Sequence, residues 1–161
     1  MQKKAISVKN LKTQIKKFQK AGKKVVFTNG CFDLIHTGHT SLFEKAKSLG
    51  DVLVVAINSD KSLSCLKGPK RPLVGQKDRA QLLLSLKPVD YVVVFGEQTP
   101  AKILKELKPD ILVKGGDYKL EDIIGREHVK KVYRYPVVKG KSTTNLINTI
   151  VERYGKQQSG K

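Results

Sequence analysis

Two of the three histidines of this chain, His36 and His39, lie three residues apart in the stretch NGCFDLIHTGH. The apolar residues that follow have helical spacing, so His36 precedes a predicted helix and His39 lies in its first turn. Backbone N–H groups at a helix N-terminus lack partners within the helix and attract anions. We expect both imidazoles to point at one phosphate there, with Gly38 leaving room for a phosphate oxygen to approach the backbone.

A zinc site and ordinary packing are the alternatives for this pair. Structural zinc takes four ligands and catalytic zinc at least three from the protein. Apart from scattered carboxylates, only His128, Cys31 and Cys65 could complete such a set, and none has a metal-site spacing from the pair. We therefore predict no metal site, and we expect both cysteines to be reduced.

The elements that must position the histidines can be predicted from hydrophobic patterning. Short apolar blocks alternate with segments of helical spacing, an order typical of a parallel sheet covered by helices. The pattern predicts an α/β fold, specifically a Rossmann-like, doubly wound, five-stranded parallel sheet with helices on both faces. The predicted strands are 24–29, 51–58, 90–95, 110–115 and 131–138.

The length of 161 residues suits one domain. We predict a leading helix within 1–21, at about 8–21, a core over 22–154 and a flexible tail over 155–161. A second predicted helix begins at Thr37 or Gly38. Another contains Pro100 in its first turn, and the last one spans about 143–154.

Polar clusters follow four of the predicted strands, where ligands bind in open α/β sheets. Lys67, Arg71 and Arg79 could hold an anion, although solvated surface charge is the default for any one of them. Ser142 to Thr144 could bind phosphates or simply cap a helix. The glycine pair in KGGD is weak evidence, because it is a common turn.

The formal net charge of +18 suggests nucleic acid as an alternative partner. Lysines are spread along the whole chain, however, so a solvated surface explains the charge equally well. No apolar run approaches the length of a membrane-spanning helix, and the first residues lack a secretory signal's apolar core. We expect a cytoplasmic protein without a membrane partner.

The motif HTGH resembles the H-x-G-H signature of the cytidylyltransferase-like nucleotidyltransferase family. Downstream motifs in the same order strengthen the resemblance: NSD (58–60), LKGPKRP (66–72), DR (78–79), LVKGGDY (112–118) and STTNLI (142–147). Within this family, the chain looks most like the adenylyltransferase domains of bacterial ADP-heptose synthases. Glycerol-3-phosphate cytidylyltransferases and FAD synthases share several of these motifs and remain alternatives.

The resemblance implies transfer of AMP from ATP, with Mg²⁺, to D-glycero-β-D-manno-heptose 1-phosphate. It assigns catalysis to His36, His39 and Lys67, and acceptor binding to Asn58, Asp60, Arg71 and Arg79. Asp33 could position a lysine or the metal, or serve as a cap. The remaining implied residues bind the nucleotide: Thr28, Asn29, Gly30, Phe32, Asp33, Lys114, Gly115, Gly116, Asp117, Ser142, Thr143 and Thr144.

The resemblance also implies partners. We expect the small-molecule substrates ATP and a sugar 1-phosphate, a homodimer, and a heptose kinase on a separate chain. A nucleic-acid-binding module that reuses the fold is the alternative of another class.

Overall fold

A computed structural model describes residues 4–136 and 140–155 of the chain. Its six strands form one sheet in the order β1-β4-β3-β2-β5-β6, and every neighbouring pair is parallel. The strands are β1 (Lys4–Ala5), β2 (Val25–Gly30), β3 (Val52–Asn58), β4 (Tyr91–Phe95), β5 (Ile111–Gly115) and β6 (Lys131–Tyr135).

Six α-helices connect or flank these strands in the described residues. They are α1 (Val8–Lys20), α2 (Thr37–Ser48), α3 (Asp60–Lys67), α4 (Gln76–Ser85), α5 (Ala101–Leu107) and α6 (Thr143–Tyr154). Two short 3₁₀ helices, Leu120–Asp122 and Arg126–His128, lie between β5 and β6.

The predicted fold class is confirmed, with one correction to the strand number. The sheet has six strands instead of five, because Lys4 and Ala5 pair with Tyr91 and Val92 of β4. A two-residue strand is too short to produce a hydrophobic period, so the pattern could not predict it. Helix α3 was also missed, since its residues were interpreted as part of a loop after β3.

Some predicted boundaries fall outside the described residues. This applies to the end of the strand predicted at 131–138 and to nearly all of the tail predicted at 155–161. The division of residues 1–161 into leading helix, core and tail stays a prediction.

Two apolar cores cover the two faces of the sheet. One contains Val25, Phe27 and Leu112 with residues of α1 and α5, and the other contains Val26 and Val113 with residues of α2 and α4. Side chains alternate between the faces along a strand, so neighbouring strand residues reach opposite cores. Strands buried on both faces explain why the sequence shows continuous apolar blocks.

The strand order places a switch point between β2 and β5. From β2 the chain proceeds through β3 to β4 on one side, then crosses back to β5 on the other side of β2. Loops diverge from the carboxyl ends of the strands at such a point and leave a crevice. A ligand site is therefore expected beside residues 28–30 and 113–115.

Helix α1 should be an integral part of the fold. Its Leu11 and Ile15 side chains are fully buried, whereas the neighbouring Lys12 is exposed. We expect Leu11→Ala to lower the free energy of unfolding by about 2–5 kcal/mol, because it leaves a cavity in the core. Lys12→Ala is the matched control and should change it by less than about 0.5 kcal/mol in urea unfolding. Equal stability of the two variants would show that α1 does not dock.

Candidate active site

A cleft of about 680 Å³ opens at the carboxyl end of the sheet, above β2, β3 and β5. The starts of α2 and α6 and the end of α3 contribute to its walls. Most of the predicted site residues line it: Asn29, Gly30, Phe32, His36, His39, Asn58, Lys67, Arg71, Lys114, Gly115, Gly116, Ser142, Thr143 and Thr144.

His36 is the N-cap residue of α2, and its ring is held by the backbone. Its Nδ1 atom accepts a hydrogen bond from the Gly38 N–H at 3.1 Å. In a neutral imidazole the other nitrogen then carries the proton, so Nε2–H is a donor. The His36 and His39 rings stack with centroids 3.8 Å apart, and the edge of Phe32 packs against His39.

Gly38 has a packing role that the sequence did not predict, and its predicted role beside a phosphate oxygen stays a prediction. A Cβ atom at this position would lie 3.0 Å from the His36 ring, so the missing side chain makes room for that ring. The glycine thus allows the imidazole to fold over the N-terminus of α2.

Lowered pKa values favour the neutral form of both histidines at pH 7. Burial, together with the nearby His36, lowers the pKa of His39 to about 4. Burial and the positive charge of Lys141 also lower the pKa of His36. The pair therefore presents N–H donors without a positive charge of its own.

The zinc alternative finds no support in the structure. Within residues 4–136 and 140–155, no group of three or more His, Cys, Asp or Glu side chains is arranged to hold a metal.

Three buried polar atoms at the carboxyl end of β2 and the start of α2 have no hydrogen-bond partner among the described residues. They are Thr28 Oγ1, Asn29 Oδ1 and His39 Nδ1. Most buried polar atoms in proteins are hydrogen-bonded, so such a group points to a ligand or to bound water. The side chain of Thr28 lies beneath the cleft surface, although Thr28 was predicted to bind the nucleotide.

Helix α6 starts at the opposite wall from α3. Ser142 caps it by accepting the Asn145 N–H at 3.0 Å, and the Thr143 hydroxyl donates to the Leu34 carbonyl at 3.3 Å. That second bond ties the serine-threonine segment to the loop that carries His36. The segment and the histidines therefore form one wall with two helix N-termini.

Asp33 organises the loop on the other side of the cleft. Its buried carboxylate pairs with Arg71 Nε at 2.5 Å and accepts the N–H groups of Leu73 and Val74. Burial alone would raise the pKa of Asp33, but these hydrogen bonds outweigh it and hold the pKa below its usual value. Asp33 therefore positions an arginine and the backbone, instead of the lysine, metal or nucleotide that the sequence suggested.

Arg79 does not reach the cleft, contrary to the acceptor-binding role predicted for it. Its side chain is fully buried and donates to the carbonyls of Cys31 and Asn58 at 2.7 and 2.8 Å, and to Val74 at 2.9 Å. It also pairs with Asp60 Oδ1 at 2.8 Å, and Asp60 does not line the cleft. These bonds join the loops after β2 and β3 to the loop before α4.

Several cleft residues were missed by the sequence prediction. Lys141 directly precedes the STT motif, and Gln98 and Thr99 follow β4, an internal strand after which no polar cluster was predicted. The position of Gln98 and Thr99 after a buried strand was the signal that could have found them. Asp117, by contrast, lies in a shallow neighbouring pocket.

A parallel sheet with two helix N-termini and paired histidines at its switch point defines a nucleotide-binding α/β protein. The cytidylyltransferase-like family matches residues 27–153, and the chain belongs to this family. The family predicted from the HTGH motif is thereby confirmed, and with it the class of enzyme, a nucleotidyltransferase.

Curated relatives include the bifunctional protein HldE of Geobacter sulfurreducens, which is 52% identical over 140 residues. HldE of Helicobacter pylori strain J99 is 58% identical over 127 residues. The matches cover 84% and 79% of this chain but only 29% and 27% of those proteins. The chain thus spans less than a third of these bifunctional relatives.

Solved structures agree with the fold. The lipopolysaccharide core biosynthesis protein from Thermoplasma volcanium is 30% identical, with a TM-score of 0.59 over 74% of this chain and 100% of that one. Pantoate-beta-alanine ligase from Francisella tularensis is 18% identical, with a TM-score of 0.62 over 94% of this chain and 78% of that one. The second likeness concerns the fold alone.

No helix among the described residues is long and apolar enough to cross a membrane.

The burial of Arg79 leads to a test by stability. We expect Arg79→Leu to lower the free energy of unfolding by roughly 3–5 kcal/mol, because it leaves buried carbonyls and a charge partner unpaired. Lys67→Leu, at an exposed position on the cleft wall, is the control and should stay within about 0.5 kcal/mol of the parent. If Arg79→Leu kept the parental stability but bound substrate more weakly, the result would support the substrate contact predicted from the sequence.

The neutral His39 predicts a pH dependence of stability. Its pKa is about 4 in the folded chain against 6.5 as the reference value, so the unfolded chain binds the extra proton first. The contribution of His39 to the free energy of unfolding is therefore fully present above pH 6.5 and is lost as the pH falls toward 4. Urea unfolding at several pH values should show a smaller loss over this window for His39→Gln than for the parent. Parallel curves would contradict a neutral, buried His39.

Proposed function

We propose that this chain transfers AMP from ATP to D-glycero-β-D-manno-heptose 1-phosphate, giving ADP-heptose and pyrophosphate for heptose-containing glycans such as lipopolysaccharide core. The observation that carries the proposal is the stacked pair of His36 and His39 over the N-terminus of α2. The similarity to HldE supports the choice of acceptor within the family.

The reaction needs no general base. An oxygen of the sugar phosphate is already anionic, attacks the α-phosphorus of ATP and forms the new P–O bond. The bond to the pyrophosphate oxygen breaks, and pyrophosphate leaves with that electron pair. Catalysis then depends on alignment and on stabilising the charge that develops on the phosphoryl oxygens.

The described residues suit these tasks. The Nε2–H of His36, the His39 ring and the free N–H groups of α2 can donate to α-phosphate oxygens. Ser142, Thr143 and the start of α6 can hold the β- and γ-phosphates, with Lys141 beside them. Gly115 and Gly116, at the end of β5, leave open backbone against which adenosine can lie.

A magnesium ion fits this cleft if the triphosphate of ATP binds it. In the described part of the chain, Asp122 is the one carboxylate that lines the cleft, so the protein offers no cage for the ion. Mg²⁺ typically binds through one or two carboxylates, waters and substrate phosphates. When bound, it would neutralise charge on the departing pyrophosphate.

The wider predictions about partners follow from the same proposal. The homodimer, the cytoplasmic location and a heptose kinase on a separate chain stay predictions. HldE relatives are bifunctional, so the source of the kinase activity is a question for experiment.

A substrate panel tests the proposed reaction. Pyrophosphate release should require ATP together with heptose 1-phosphate. CTP with glycerol 3-phosphate, and ATP with FMN, should give much less. Turnover with either of those pairs instead would move the chain to another branch of the family. Tight, salt-dependent RNA binding without pyrophosphate release would favour the nucleic-acid alternative.

His39→Ala tests the phosphate role. Loss of a preorganised donor typically lowers kcat by about 10²–10³-fold, and we expect a loss of that size in a folded protein. His128→Ala removes the third histidine, which lies outside the cleft lining, and should keep parental turnover. Near-parental turnover of a folded His39→Ala variant would contradict the mechanism.

A further inference from the structure

Lys114 lies at the switch point, on the opposite face of the sheet from the histidines. Along β5, Leu112 belongs to the core under α1 and α5, and Val113 belongs to the core under α2 and α4. By alternation, Lys114 points toward the α5 side. Gly115 then faces α2, in agreement with its ideal Cβ position 3.5 Å from Leu42.

Lys114 is a partly buried cation without an ion-pair partner among the described residues. Arg71 is paired with Asp33, Arg79 with Asp60, and Asp110 with Lys130. Within residues 4–136 and 140–155, no carboxylate lies within 4.0 Å of the Lys114 ammonium group. Its Nζ atom lies 5.3 Å from the centroid of the Tyr118 ring. Burial lowers the pKa of Lys114, and nearby Cys31 only partly opposes this. A partly buried charge without a counter-charge is less favourable than a paired one, and an anionic ligand could supply the missing charge.

An unsatisfied acceptor lies beside this cation. Thr28 on β2 is in register with Val113 on β5, which places Asn29 next to Lys114 and on the same face. Asn29 Oδ1 is buried and has no hydrogen-bond partner among the described residues. A cation and a free carbonyl oxygen together fit a ligand that carries both an anionic group and hydroxyl groups.

The geometry of the transfer reaction indicates which of the two substrates this ligand is. In-line displacement places the attacking oxygen and the departing pyrophosphate on opposite sides of the α-phosphorus. The donors for the pyrophosphate, Ser142 and Thr143, lie at the start of α6 on the α2 side. The acceptor oxygen must then approach from the other side, where Lys114 and Asn29 lie.

We propose that Lys114 binds the phosphate of the acceptor on the α5 side of the cleft. In the same proposal, Asn29 Oδ1 accepts a hydrogen bond from one of the acceptor's hydroxyl groups. This inference rests on the proposed function for the type of transfer, and it changes the nucleotide-binding role predicted for Lys114. Among the cations considered for the acceptor phosphate, the proposal favours Lys114 over Arg79, which is buried, and Arg71, which is held by Asp33. Lys67 also lines the cleft.

Steady-state kinetics of Lys114→Met, a variant of similar length without the charge, tests the proposal. We expect the KM for the acceptor to rise about 10–100-fold, the size expected for losing a hydrogen bond to a charged group, while the KM for ATP changes less than about threefold. Lys114→Arg should recover part of the acceptor affinity. Lys141→Met is the matched control on the α2 side and should raise the KM for ATP more than that for the acceptor. A rise in the KM for ATP alone in Lys114→Met would overturn the proposal.

A stability measurement separates binding from a structural role. Because Lys114→Met removes an unpaired and partly buried charge, its melting temperature without ligand should equal or exceed that of the parent. A lower melting temperature combined with equal effects on both KM values would mean that Lys114 only supports the fold, which would overturn the proposal.

The proposed identity of the acceptor can be wrong while this inference about Lys114 is correct. If the substrate panel shows turnover with glycerol 3-phosphate or FMN, the same KM comparison is made with that acceptor. If no acceptor is turned over, calorimetry with inorganic phosphate in the presence of a non-hydrolysable ATP analogue replaces kinetics. Binding that is present in the parent and lost in Lys114→Met supports the inference. Equal binding in both proteins, or none in the parent, overturns it.

Discussion

The parallel arrangement of β2, β3 and β5 is the constraint on which the cleft depends. Parallel strands end at one edge of the sheet, and the reversal of strand order beside β2 leaves a crevice there. Because side chains alternate along each strand, the crevice has two chemically different sides. The histidines and two helix N-termini lie on one side, and Lys114 with Asn29 lies on the other.

On the first side, neutral dipoles act alongside the charge of Lys141. The hydrogen bond from Gly38 to His36 fixes the ring and leaves Nε2–H as a donor, while burial keeps both imidazoles uncharged. Preorganised donors of this kind need little reorganisation when charge develops in a transition state. Charge on the opposite wall is supplied by lysines, because Asp33 and Asp60 hold the arginines in place.

The sequence predicted what local patterns determine and missed what distant contacts determine. Apolar blocks located five strands, and the HTGH spacing placed His36 and His39 at a helix start, as observed. The two-residue β1 exists only through pairing with β4, and no local period marks it. Arg79 was misplaced because two of its partners, Cys31 and Asn58, lie 48 and 21 residues away from it in the sequence. Exposed and buried basic residues look alike in a chain with a charge of +18.

The central claim is that a neutral histidine pair donates to the triphosphate, and side-chain ¹H–¹⁵N NMR tests it most directly. Three histidines give a spectrum that single substitutions can assign. At pH 7, His36 should appear as the neutral tautomer with its proton on Nε2, and that signal should shift when a non-hydrolysable ATP analogue binds. A charged His36 at pH 7, or a signal unchanged in the bound state, would contradict the account.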